Sequence, residues 1–155
     1  MKRTRALVSI LLALLVVTVA LGACGAQSAP APAAGEPASH SRPVSVAGAG
    51  SYTDVDAAGL AAMLDNKDFP LINVHIPYEG EIGETDAFIP YDEIKQHLDQ
   101  LPAKDARIVL YCRSDRMSNE AAQELVKLGY TDVWNLDGGM IAWEQAGYPL
   151  LDKGQ

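Results

Sequence analysis

Arg107-Ile108-Val109-Leu110-Tyr111-Cys112-Arg113-Ser114-Asp115-Arg116-Met117-Ser118 is the stretch on which the reading of this chain turns. Its opening run is apolar and β-branched, as in a strand buried on both faces of a parallel sheet. Polar residues then break the run. Ser118 opens a helix with Ala121, Ala122, Leu125 and Val126 turned to the core, and Gly129 is placed to close it. A cysteine thus stands at the carboxyl end of a central strand, one short loop before a helix. Backbone N–H groups and the positive end of a helix dipole converge at such a point. A thiol held there is drawn toward the thiolate, its reactive form. Arg113 and Arg116 add positive charge if their side chains turn inward. An inert cysteine closing a core strand is the plainer reading, but it leaves the loop, the helix and the arginines without a purpose.

Working outward, strand and helix signals alternate from residue 51 to residue 152. Asp56 is placed to cap a helix over residues 57–64, with Leu60 and Leu64 on one face. Leu71-Ile72-Asn73-Val74-His75 reads as a short strand. An irregular acidic segment over residues 76–91 carries Glu79, Glu81, Glu84 and Asp86. Asp92 starts a second helix that ends near Leu101-Pro102. Residues 131–136 form another strand, and Gly138-Gly139 turns the chain into a last short helix bearing Ile141 and Trp143. Such alternation predicts an α/β domain, a small mostly parallel sheet with helices on both faces. Ligands on these sheets bind outside the carboxyl ends of the strands, where Cys112 lies.

The N-terminus has a different texture. Lys2, Arg3 and Arg5 precede an uninterrupted apolar run over residues 6–22, the pattern of an export signal over residues 1–23. Residues 24–50 are rich in Ala, Pro, Ser and Gly with few large apolar side chains, and read as an extended tether. Once the three N-terminal charges are set aside, nine basic residues face twenty acidic ones. That balance excludes nucleic acid as a partner and gives no attraction to anionic lipid headgroups. Membrane attachment is therefore expected only through the N-terminus. The two cysteines, Cys24 and Cys112, build no disulfide framework, and no Cys or His pair has the close spacing of a metal site. No cofactor is expected.

Two resemblances sharpen these readings. Leu21-Gly22-Ala23-Cys24 resembles the bacterial lipobox, which implies that Cys24 becomes the acylated first residue of an exported protein held on the outer side of a cell membrane. Residues 51–152 resemble a rhodanese-like domain. Tyr111-Cys112-Arg113-Ser114 with Ser118 resembles that family's active-site loop, and Leu136-Asp137-Gly138-Gly139 with Trp143 resembles its closing signature. Phe88-Ile89-Pro90-Tyr91-Asp92-Glu93-Ile94 resembles the segment leading to its second helix.

The resemblance implies sulfur transfer. Cys112 is then the nucleophile that takes a sulfane sulfur from thiosulfate or a persulfide and passes it to a thiol or cyanide. The backbone of Arg113, Ser114, Asp115, Arg116, Met117 and Ser118 is the cradle for the anion. Three departures bear on the substrate. Asp115 stands where the family commonly has glycine and Met117 where it has arginine, so a carboxylate is expected to oppose both the thiolate and an anionic donor. His75 ends a strand that usually closes on Asp-Val-Arg, and is a candidate proton relay or substrate donor. The acidic segment over residues 79–86 either overhangs the pocket, where its four carboxylates would face a dianionic donor, or is a solvated acidic loop. Two further readings remain at this point. One is a non-enzymatic persulfide carrier or protein-docking module. The other is arsenate reduction or phosphate ester hydrolysis, disfavoured because Met117 and Ser118 close the loop where related phosphatases place an arginine.

Overall fold

In the computed structural model, which describes residues 40–151, the chain runs β1 (Ser41–Val46), β2 (Gly50–Val55), α1 (Ala57–Leu64), β3 (Leu71–Asn73), β4 (Glu81–Ile82), β5 (Ala87–Phe88), β6 (Ile108–Tyr111), α2 (Arg116–Lys127), β7 (Val133–Leu136), α3 (Gly139–Gln145) and β8 (Leu150–Leu151). Six strands form one sheet in the order β1-β2-β7-β6-β3-β5, and β4 pairs with β8 apart from it. Neighbours in the large sheet are parallel except β1 and β2. This is the mostly parallel α/β sheet expected.

The alternation of β6 divides the core in two. Ile108 and Leu110 pack with Cys112 against Ala121, Ala122, Leu125 and Val126 of α2. Val109 and Tyr111 point the other way, into a cluster with Leu60 of α1 and Met140 and Trp143 of α3. The helices therefore cover both faces. Cys112 continues the α2-facing row, because side chains two residues apart along a strand share a face. Asp56 caps α1 as expected, its carboxylate accepting from the Gly59 N–H at 2.7 Å.

Three readings of local structure change. The tether ends earlier than residue 50, because residues 41–50 belong to the folded head. β1 pairs antiparallel with β2 over its whole length, and Val46 is buried. Its Val44 and Val46 alternate within a stretch whose Ala, Pro and Gly content hid them, and Pro43 is tolerated because β1 is an edge strand. The helix expected from Asp92 is instead a pair of 3₁₀ turns, Ile94–Gln96 and Leu98–Gln100, which bury Ile94. The acidic segment is not wholly irregular, since β4 and β5 lie within it.

Tyr111 ties this segment to the core. Its hydroxyl lies 2.7 Å from Thr85 Oγ1 and accepts the Ile82 N–H at 3.1 Å. Burial outweighs both bonds and pushes the phenol up to about 12. In an unfolded chain the same group ionises near pH 10, so between the two values the unfolded chain holds fewer protons and stability falls as pH rises. The contribution is full below about pH 10 and gone above about pH 12. It amounts to about 2 to 3 kcal/mol at 1.36 kcal/mol per unit. Denaturant titrations at stepped pH are expected to show that loss, with a shallower slope in Tyr111→Phe. An unchanged slope in the variant would refute the assignment.

Candidate active site

The Cys112 side chain is buried, and the groups around its sulfur come from the chain immediately after it. The Asp115 N–H donates to Sγ at 3.1 Å. Ser118 Oγ lies 3.3 Å from Sγ and 3.1 Å from the Asp115 carbonyl, so two acceptors share one hydroxyl proton. A thiolate, the stronger acceptor, draws that proton to itself. α2 begins at Arg116 rather than Ser118, which makes Arg116, Met117 and Ser118 its first turn. No side chain caps this end of the helix. The positive end of its dipole therefore stands at the cysteine loop.

The loop is closed from the other side by α3. The Met140 N–H donates to the Cys112 carbonyl at 2.9 Å and the Ile141 N–H to the Arg113 carbonyl at 3.0 Å. Both carbonyls are thus turned toward α3. Gly139 makes this approach possible. At its φ of +59°, a Cβ would collide with the Cys112 carbonyl oxygen and lie 2.8 Å from the Arg113 carbonyl carbon.

The remaining expected site residues separate. Arg113 is exposed and pairs with Glu79, while Arg116 is exposed, pairs with Glu120 at 2.8 Å and lies over the Tyr91 ring. Neither guanidinium is uncommitted. Ser114 is exposed, and Met117 is half-buried against the α2-side core. Asp115 has a φ of +90°. Its carboxylate is not aimed at an incoming anion but accepts from Asn119 Nδ2 and Asn135 Nδ2, each at 2.8 Å. The side chain thus has a structural partner on β7 and another on α2.

His75 is buried at the end of β3, with its N–H donating to Asn73 Oδ1 at 3.0 Å. Its Nε2 faces the Glu79 carboxylate at 3.5 Å. Burial holds the imidazole below its ordinary pKa, although Glu79 pulls the other way. The four carboxylates do not overhang together. Glu79 reaches Arg113, Glu81 is buried on β4, Asp86 is held by Lys67 at 2.6 Å and the Leu71 N–H at 2.7 Å, and Glu84 is exposed.

Asn119, Asn135, Asp54 and Gly139 were not singled out from the sequence as site residues. Asn135 and Asp54 occupy core-facing positions of their strands, where a polar side chain signals a network. Among the described residues no cluster of His, Cys, Asp and Glu could hold a metal ion.

A thiol seated beneath a helix N-terminus, at the end of the central strand of a mostly parallel sheet, defines an α/β domain built around one cysteine loop. The rhodanese-like domain family model matches residues 56–146, and the chain belongs to that family. A sulfurtransferase of Allochromatium vinosum is 36% identical over 101 residues, covering 63% of this chain and 94% of the relative. A tRNA uridine(34) hydroxylase of Erwinia tasmaniensis is 31% identical over 120 residues, 68% of this chain but only 33% of the hydroxylase. Among solved structures, a rhodanese-related protein from Thermoplasma volcanium aligns with a TM-score of 0.55 at 25% identity, covering 63% of this chain and 96% of the other.

Proposed function

We propose that this protein is a sulfurtransferase that carries a sulfane sulfur on Cys112. The observation that carries the reading is the Cys112 sulfur itself, held by the Asp115 N–H and Ser118 Oγ at the head of α2. The thiolate attacks the outer sulfur of the donor. The sulfur–sulfur bond of the donor breaks, and its electron pair leaves on sulfite from thiosulfate, or on a thiolate from a persulfide. A thiol or cyanide then attacks the outer sulfur on Cys112. The electron pair of that bond returns to Sγ, where the same donors hold it. The pairing of Arg113 with Glu79 and of Arg116 with Glu120 favours a thiol-borne persulfide over dianionic thiosulfate as donor. Steady-state transfer to a thiol or cyanide, measured with each donor, tests this. Turnover with a higher kcat/KM for the persulfide is expected, and no turnover with either donor refutes catalysis.

The N-terminal pattern supports an exported, lipid-anchored protein whose mature chain begins at acylated Cys24. Residues 1–39, and with them the signal segment, Cys24 and most of the tether, lie outside the described residues. Among the described residues no helix is long and apolar enough to cross a membrane. One acyl chain binds a membrane only marginally, so stable anchoring needs more than one. Metabolic labelling with a radioactive fatty acid is expected to mark the wild type and leave Cys24→Ala unlabelled. A membrane-bound form that retains residues 1–23 would overturn the assignment.

A further inference from the structure

We propose that Asn135 is the positioning residue of the Cys112 loop, holding Asp115 so that its N–H stays on the Cys112 sulfur, with Asp54 and Arg42 anchoring Asn135 from β2 and β1. The proposal rests on the reading of Cys112 as the sulfur-carrying thiol.

Strand register brings these groups together. Asp54 of β2 lies beside Asn135 of β7, which lies beside Leu110 of β6, two residues before Cys112. Val133 of β7 and Tyr52 of β2 pack on the α2 side of the sheet. Alternation therefore places Asp54, Asn135 and Cys112 on that same face. Asn135 is fully buried and Asp54 nearly so, at 0% and 3% exposure, in positions where an apolar residue would pack without any desolvation cost.

Their contacts converge on the loop. Asn135 Nδ2 lies 2.8 Å from Asp54 Oδ1, 2.8 Å from Asp115 Oδ1 and 3.0 Å from Asn119 Oδ1. Asn119 Nδ2 donates to the other Asp115 oxygen at 2.8 Å, and the Tyr52 hydroxyl donates to Asn119 Oδ1 at 2.9 Å. Both oxygens of Asp115 are thus gripped, one from β7 and one from α2. Arg42 Nη2 lies 2.6 Å from the second Asp54 oxygen and also reaches Asp137 at 3.2 Å, which balances the buried charge.

The grip matters because of the backbone of Asp115. A φ of +90° with a ψ of −40° is a conformation that residues with a Cβ rarely adopt. Glycine would only permit it, whereas the held carboxylate enforces it. The bond from the Asp115 N–H to Sγ depends on that conformation.

The test is a double-mutant cycle between Asn135→Ala and Asp115→Gly in the full-length protein. It is read as the rate of iodoacetamide alkylation of the Cys112-bearing peptide and as the rate of sulfur loading from a persulfide donor. Asn135→Ala is expected to slow both about tenfold in the Asp115 background, with the donor concentration for half-maximal loading little changed. In the Asp115→Gly background, where no carboxylate is left to hold, the same change is expected to cost less than about twofold. Equal costs in the two backgrounds would overturn the proposal, as would an unaltered alkylation rate in Asn135→Ala. Asn119→Ala removes the other amide from a half-buried position and is expected to show the same coupling, which covers the case in which Asn135→Ala does not fold. If the cycle couples in alkylation while the wild type loads no sulfur, Asn135 still positions the loop and only the sulfur-transfer reading fails.

Discussion

Cys112→Ser is expected to fold as the wild type does and to lose sulfur transfer by a factor on the order of 10⁴ or more. The substitution is nearly isosteric, and the Asp115 N–H and Ser118 hydroxyl that donate to Sγ can donate to an oxygen in its place, so the buried position keeps its hydrogen bonds. What it removes is the nucleophile. Among the described residues the hydrogen-bond partners of Sγ are the Asp115 N–H and Ser118 Oγ, neither of which is a base that could take a proton from a hydroxyl placed there. Steady-state transfer and thermal unfolding of the two proteins check the expectation. Loss of activity together with a lowered Tm would mark Cys112 as a packing residue, and retained activity would remove it from the chemistry altogether.

Gly139→Ala is expected to have the second large effect, on fold and loop together. The added Cβ meets two backbone groups, the Cys112 carbonyl oxygen and the Arg113 carbonyl carbon, and neither can rotate away as a flexible side chain would. The residue also has a φ of +59°, which disfavours alanine. Relief requires α3 to retreat from the loop, which breaks the bonds from Met140 and Ile141 to the two carbonyls. A cost of about 3 kcal/mol or more is expected by denaturant titration, with slower alkylation of Cys112 in whatever fraction folds. A change below about 0.5 kcal/mol would show that the loop does not depend on this close approach.

The strands that carry the site were the most legible parts of the chain. Ile108 to Tyr111 is an apolar β-branched run fully buried on both sides, and such a run has few alternatives. The cap at Asp56 and the turn at Gly138-Gly139 were equally plain, because each rests on local chemistry that tertiary packing does not override. β1 was hidden because an edge strand needs only one buried face, and Val44 and Val46 are a faint signal among Ala, Pro and Gly. The 3₁₀ turns read as a helix in the sequence because Ile94, Leu98 and Leu101 have helical spacing.

Within the site, sequence adjacency brings together Cys112, Asp115 and Ser118, which belong to one loop and the first turn of α2. It failed for charge. Whether Arg113 and Arg116 face the thiol depends on Glu79 and Glu120, and the first of these lies 34 residues from its partner. The partners of Asp115 were hidden for the same reason, since Asn135 reaches it from another strand. Spacing along the chain carries no information about such partners, although a polar residue on the buried face of a strand does announce that a partner exists.

The central claim is that Cys112 carries the transferred sulfur, and peptide mass after exposure to a persulfide donor tests it most directly. The Cys112-bearing peptide of the wild type is expected to gain one sulfur atom, about 32 Da, and to lose it when a thiol acceptor is added. A gain confined to another residue, or none on Cys112 with either a persulfide or thiosulfate, would contradict the account.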